Sequence, residues 1–268
     1  MFKLKMGLRQ LIGGIALATL AGGALMQPAH AGRSCQPQAI QLNALTQGLA
    51  LAERTVKKLD ESGAQVVVLA RVGQDLQEYG LRFSHLGFAY KEGNAWRVVH
   101  KLNLCGTDQS SVYREGVADF FMDSPYQYIA GVMPLRSDVA QRLIPILREP
   151  YLAGHLHTRA YSMLAYPWAT DYQQSNQWAI ETLAASMGAG VGGRASAQAW
   201  LKNQRYEPTE LNISTMERLG ARMTAANISF DDHPSYLRFT NRIRTVTVDS
   251  VMAWLQRTGY GDAQFVVR

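Results

Sequence analysis

Residues 82–103, RFSHLGFAYKEGNAWRVVHKLN, constrain the fold of this chain most. Two apolar runs flank Lys91-Glu92-Gly93-Asn94, which reads as a hairpin-type turn. Side chains alternate along a strand, so Trp96, Val98 and His100 share one face of the returning run, and His85 and Gly87 share one face of the outgoing run. Depending on register, both imidazoles point to the same side of the hairpin.

The flanking sequence supplies partners for that hairpin. Leu42, Leu45, Leu49, Ala52, Val56 and Leu59 recur at helical spacing, and Gly63 is a plausible stop. The β-branched run Val66-Val67-Val68-Leu69-Ala70 predicts a buried strand. Further on, the pattern predicts a short helix over residues 112–121 and a strand over 126–133. A helix over 138–147 would be capped by Ser137, with Pro150 beyond its end. Residues 153–168 show no period. A helix over 179–187 follows the polar stretch 171–178, and further helices fall near 196–203, 214–226 and 250–258. Short strands are expected at 245–248 and 264–267. Residues 188–193, GAGVGG, match the letters of G-x-G-x-x-G but follow a helix rather than a strand. They read as a helix stop and loop, not a dinucleotide site. The expected class is α+β, an antiparallel sheet packed on helices.

The N-terminus reads as an export signal. Lys3, Lys5 and Arg9 precede an apolar stretch rich in Gly and Ala, and Ala29-His30-Ala31 closes it, so cleavage is expected after Ala31 and the mature chain in the periplasm. The apolar stretch is shorter than the ~20 strongly apolar residues that a membrane span needs. Without those three basic residues the formal charge falls from +6 to +3. No Lys/Arg block interleaved with aromatics remains, which argues against nucleic acid as a partner. The expected organisation is a signal over 1–31, a helical element over 32–64, a core over 65–193 and a C-terminal α/β extension over 194–268. Cys35 and Cys105, the only cysteines, survive cleavage and are expected to form a disulfide in an oxidising compartment. The rival is a free catalytic thiol at Cys105.

Ser84-His85-Leu86-Gly87-Phe88, followed by Val98-Val99-His100, resembles the histidine strands of the NlpC-type branch of papain-like hydrolases. In circularly permuted members the nucleophile follows later, at the start of a helix, and Tyr172-Gln173-Gln174-Ser175-Asn176-Gln177-Trp178 is similar to that run. The chain also resembles a family of uncharacterised exported proteins of Gram-negative bacteria. The first resemblance implies a circularly permuted papain-like core and cleavage of an amide, peptide or ester bond in the cell envelope, with a peptide or acyl ligand as partner. Ser175 stands where that superfamily has cysteine. A serine hydroxyl is too weak an acid for a helix N-terminus alone to activate it, so it needs His85 as base with His100 as orienter. Ser84, Trp168, Tyr172 and Asn176 would then face the substrate.

Other readings stand beside this one. Ser175 also suits a helix cap, as does Asp171. The aromatic cluster Tyr161, Tyr166, Trp168, Tyr172 and Trp178 suits core packing as well as a ligand groove. A pseudoenzyme would use the same cleft to hold an envelope ligand or a protein partner without turnover. A metal-dependent hydrolase would rest on His155 and His157, whose spacing suits two ligands on a strand, with Asp231, Asp232 and His233 approaching; neither a metal nor a cofactor is otherwise suggested.

Overall fold

The computed structural model describes residues 41–122 and 125–268. The expected signal and Cys35 lie outside these residues. Among the described residues no helix is long and apolar enough to cross a membrane.

The first helix, α1 (Leu42–Glu61), leads into strand β1 (Val66–Val72), and the hairpin forms β2 (His85–Glu92) and β3 (Ala95–Asn103). Then come β4 (Ser110–Gly116), α2 (Val117–Met122), β5 (Gln127–Pro134), α3 (Ser137–Arg148) and α4 (Pro150–Gly154). After a long connection follow α5 (Ser175–Met187), α6 (Arg194–Asn203), β6 (Thr209–Asn212), α7 (Thr215–Thr224), α8 (Ser235–Arg238), β7 (Arg242–Thr245), α9 (Val248–Thr258) and β8 (Phe265–Val267). Six strands form one antiparallel sheet in the order β4-β3-β2-β1-β5-β8, and β6 pairs with β7 apart from it. The fold is α+β, with helices on both faces of the large sheet.

β1 is buried along its whole length, as its unbroken apolar run requires of a strand covered on both faces. Val66, Val68 and Ala70 enter one core with Leu86, Phe88 and Tyr90 of β2 and with Trp178, Ala179 and Ile180 of α5. Val67 and Leu69 enter the opposite core with Ala89, Val98, Leu51 of α1 and Phe120 of α2. A third, smaller core under the β6–β7 ribbon joins Leu211, Ile228, Phe230 and Ile243.

Three expectations are corrected. Residues 112–121 are not one helix: the first part is β4, an edge strand with polar, half-exposed side chains that pairs along β3. Its helical look came from Val112, Val117 and Phe120–Phe121, which belong to two different elements. Second, α1 buries Gly48, Leu51, Ala52, Thr55 and Leu59 and leaves Leu42 and Leu49 exposed. The face is rotated because α2 crosses there: a Cβ on Gly48 would stand 3.0 Å from the Phe121 carbonyl oxygen. Third, the strand expected at 245–248 ends at Thr245, and Thr247 caps α9 through its side chain.

Candidate functional site

His85 opens β2, where its register partner on β1 is Arg71. His100 lies on β3, and the pairing of Phe88 with Val99 sets Gly87 beside it. A Cβ on Gly87 would stand 2.8 Å from the His100 Cβ and 3.0 Å from the Val99 carbonyl oxygen. The glycine thus lets the two strands bring their imidazoles together. His85 Nε2 and His100 Nδ1 are 2.8 Å apart. Their rings meet edge to face at 5.1 Å between centroids.

This pair lies on the α1–α2 side of the sheet. Phe120 of α2 touches both rings, at 5.7 Å from His85 and 5.2 Å from His100. Arg71 lies over the other part of that phenyl ring, its guanidinium carbon 5.0 Å from the centroid, and donates through Nη1 to the Phe120 carbonyl at 2.5 Å. His100 is fully buried. Its Nε2 lies 2.8 Å from Glu115 Oε1 on β4, a short contact that bends away from hydrogen-bond linearity. At the same end of the sheet, a cleft of about 320 Å³ opens between the loop after β1 and Tyr126 and Gln127, with Gln74, Asp75 and Arg82 among its walls. Tyr126 is bonded across it to Asp75, which raises the phenol's pKa above the usual value.

Ser175 is elsewhere. It is the first residue of α5, and the cap is Gln174, whose side chain accepts from the Asn176 N–H. The Ser175 hydroxyl bonds to Tyr161, a buried phenol whose pKa burial pushes up. α5 packs with Leu86, Phe88 and Val99, the strand residues whose side chains point away from the histidine face. The sheet therefore separates Ser175 from His85 and His100. The helices on the histidine face are α1, which precedes the hairpin, and α2, whose Phe120 touches both rings.

The remaining expected site residues hold structure together. Asn176 Oδ1 accepts from the Leu86 N–H at 3.1 Å, and its Nδ2 donates to the Ser84 and Val246 carbonyls at 3.4 Å each. Ser84 Oγ accepts from the Gly73 N–H at 2.8 Å and so closes the loop before His85. Tyr172 offers its carbonyl to Arg194 at 2.9 Å. Trp168 packs on Tyr206 under the Lys202 ammonium. His155 Nε2 faces the Gly192 carbonyl at 3.3 Å and His157 Nε2 the Ser110 carbonyl at 3.1 Å. Burial, before the nearby Lys101, pushes His157 down to about 4. Asp232 accepts from the Tyr166 N–H at 2.7 Å and pairs with His233 at 3.0 Å. Among the described residues no group of three or more His, Cys, Asp or Glu is disposed to hold a metal. None of the described cysteines is free, Cys105 included.

The sequence reading missed two groups. Glu115 was hidden by taking its strand for a helix; once β4 is laid along β3, Val98 pairs with Glu115 and the carboxylate falls diagonal to His100. The second is a buried polar network beneath α5. Glu181, fully buried, receives Arg194 at 2.8 Å, Gln173 at 2.6 Å and Gln198 at 2.7 Å. Gln173 also accepts from the Lys101 ammonium nitrogen at 2.7 Å, which the Thr158 carbonyl meets at the same distance. Burial pushes Lys101 down to about 6. No period marks such residues, since they are spread over β3, the loop before α5, α5 and α6.

Fold and site together define an α+β protein with a paired-imidazole centre on one face of an antiparallel sheet. The chain belongs to the family described as "uncharacterized protein conserved in bacteria (DUF2145)", which matches residues 58–255. No curated protein and no solved structure matches it.

Proposed function

We propose that this is an exported hydrolase or acyltransferase of the cell envelope in which His85 is the general base and His100 orients it. The contact that supports this is the 2.8 Å approach of His85 Nε2 to His100 Nδ1, which fixes the attitude of a half-buried imidazole. His85 takes a proton from an attacking water or hydroxyl. The acyl carbon–oxygen or carbon–nitrogen bond then breaks, and the imidazolium returns the proton to the leaving group. Ser175 enters this reading as a packing residue of α5, not as the nucleophile. The papain-like reading of the core rests on the His-x-Gly hairpin alone. Export to the periplasm and a Cys35–Cys105 disulfide belong to the same proposal.

A panel of p-nitrophenyl esters and short cell-wall peptides tests it. Turnover is expected from the wild type and from Ser175→Ala, with a loss of about 10²–10⁴-fold in His85→Gln. Unchanged turnover in His85→Gln overturns the assignment. A second reading, a binding module without turnover, is favoured by the position of Ser175 across the sheet from the imidazoles. Absence of turnover from the wild type, with saturable binding of a cell-wall peptide, supports it.

A further inference from the structure

We propose that Glu115 is a positioning residue that sets the tautomers of both histidines, so that the basic lone pair of His85 lies on Nδ1. A lone pair on His100 Nε2 would face the carboxylate oxygen at 2.8 Å and be repelled by it, so this close but bent contact favours the proton of His100 on Nε2. Neutral His100 then has its lone pair on Nδ1. That atom faces His85 Nε2 at 2.8 Å, so His85 Nε2 is the donor. The lone pair of His85 is left on Nδ1. Each assignment follows from the one before it, and the order runs from β4 through β3 to β2.

The placement is a consequence of the register. Val98 pairs with Glu115 and His100 with Tyr113, so both β4 side chains rise on the histidine face, and Glu115 reaches back one pair to His100. His100 is fully buried, while the Glu115 side chain is 24% exposed. The carboxylate thus keeps contact with water while one oxygen meets the ring. When His85 captures a proton at Nδ1, the positive charge is balanced through His100 by this carboxylate, one hydrogen bond and one close charge contact away. The same logic orients the imidazole of a serine-protease triad, where an acidic residue selects the tautomer without itself taking the proton.

The use of this relay in turnover rests on His85 being the base; the tautomers do not. Long-range ¹H–¹⁵N correlation spectra of ¹⁵N-histidine protein at about pH 8, where imidazoles of ordinary pKa are neutral, read them directly. The expected wild-type result is the Nε2–H form for both rings. Glu115→Ala is expected to lose that single form at His100 and then at His85. Glu115→Gln, whose amide oxygen still accepts, is expected to restore it. An Nδ1–H form at either ring in the wild type overturns the proposal, and so does a Glu115→Ala spectrum unchanged from the wild type. The wild-type spectrum decides the matter even where Glu115→Ala does not fold. In a turnover assay, Glu115→Ala is expected to lower kcat by at least about tenfold with KM unchanged. Correct tautomers with no turnover would reject the hydrolase and leave the relay standing.

Discussion

Replacing Arg194 by methionine removes the cation from the network under α5. Its Nε donates to Glu181 Oε2 at 2.8 Å and its Nη2 to Oε1 at 3.3 Å. The other donors meet Thr158 Oγ1 at 3.1 Å and the carbonyls of Thr170, Ala169 and Tyr172 at 2.7, 3.2 and 2.9 Å. Both partners are nearly sealed, with side-chain exposures of 8% and 1%. Gln173 and Gln198 remain as donors to Glu181, so the stranded carboxylate is not bare. Three carbonyls and a hydroxyl nevertheless lose this donor, and a buried charge loses its counter-ion. Breaking such a pair from one side costs about 3–5 kcal/mol. With a urea dependence of about 3 kcal/mol per molar, the midpoint falls by roughly 1–1.7 M. Urea unfolding followed by tryptophan fluorescence measures it. The double variant Arg194→Met, Glu181→Leu removes the orphaned charge and is expected to be more stable than Arg194→Met alone. A loss under about 1 kcal/mol in the single variant, or a double variant no better than the single, refutes the reasoning.

Other perturbations reach other parts of the fold. Gly87→Ala drives a methyl group to 2.8 Å from the His100 Cβ; a loss of about 1–3 kcal/mol is expected on urea unfolding, with the imidazoles forced apart in their NMR signals. Lys101, pushed down to about 6 by burial, binds its proton more weakly folded than unfolded. Between pH 6 and 10 the unfolded chain holds a proton that the folded chain lacks, so the wild type gains stability relative to Lys101→Met as pH rises through that window, by up to about 1.4 kcal/mol per unit. Parallel stability–pH curves for the two proteins would contradict this. Thiol titration of denatured, unreduced mature protein is expected to find no free thiol, and reduction is expected to cost about 4 kcal/mol, as for a closed loop of about 70 residues; two titratable thiols would remove the proposed disulfide.

Much of the sheet was legible because its signals are local. The uninterrupted β-branched run gave β1, the turn chemistry around Gly93 gave the β2–β3 hairpin, and alternation put His85 and His100 on a common face. The φ of Gly93, +58°, is the left-handed conformation such a turn demands of its glycine. Edge strand β4 was lost because a half-exposed strand needs no clean apolar period, and with it went Glu115. The Glu181 network was invisible for a different reason: Lys101, Gln173, Glu181, Arg194 and Gln198 span about a hundred residues and four segments, and nothing local distinguishes a polar residue that will be buried.

The position of Ser175 shows where local reading stops. Alternation fixes which side chains of the hairpin share a face, but it does not say which helix lies over that face. The sequence offers two candidates, α1 before the hairpin and α5 after it, each with an apolar side. The choice is made by strand residues of opposite parity: Leu86, Phe88 and Val99 supply the broad apolar bed that α5, buried around much of its circumference with Trp178 at its centre, needs for cover. The histidine side, where Gly87 and two imidazoles interrupt the apolar residues, receives α2 and also α1, whose buried face includes Gly48 and Thr55 and whose solvent side carries charge. Apolar area thus assigns the helices to the faces, and Ser175 goes with its helix to the side where Tyr161 awaits it. A pairing of Ser175 with His85 required the opposite assignment, which would expose Trp178 or bury the polar flank of α1.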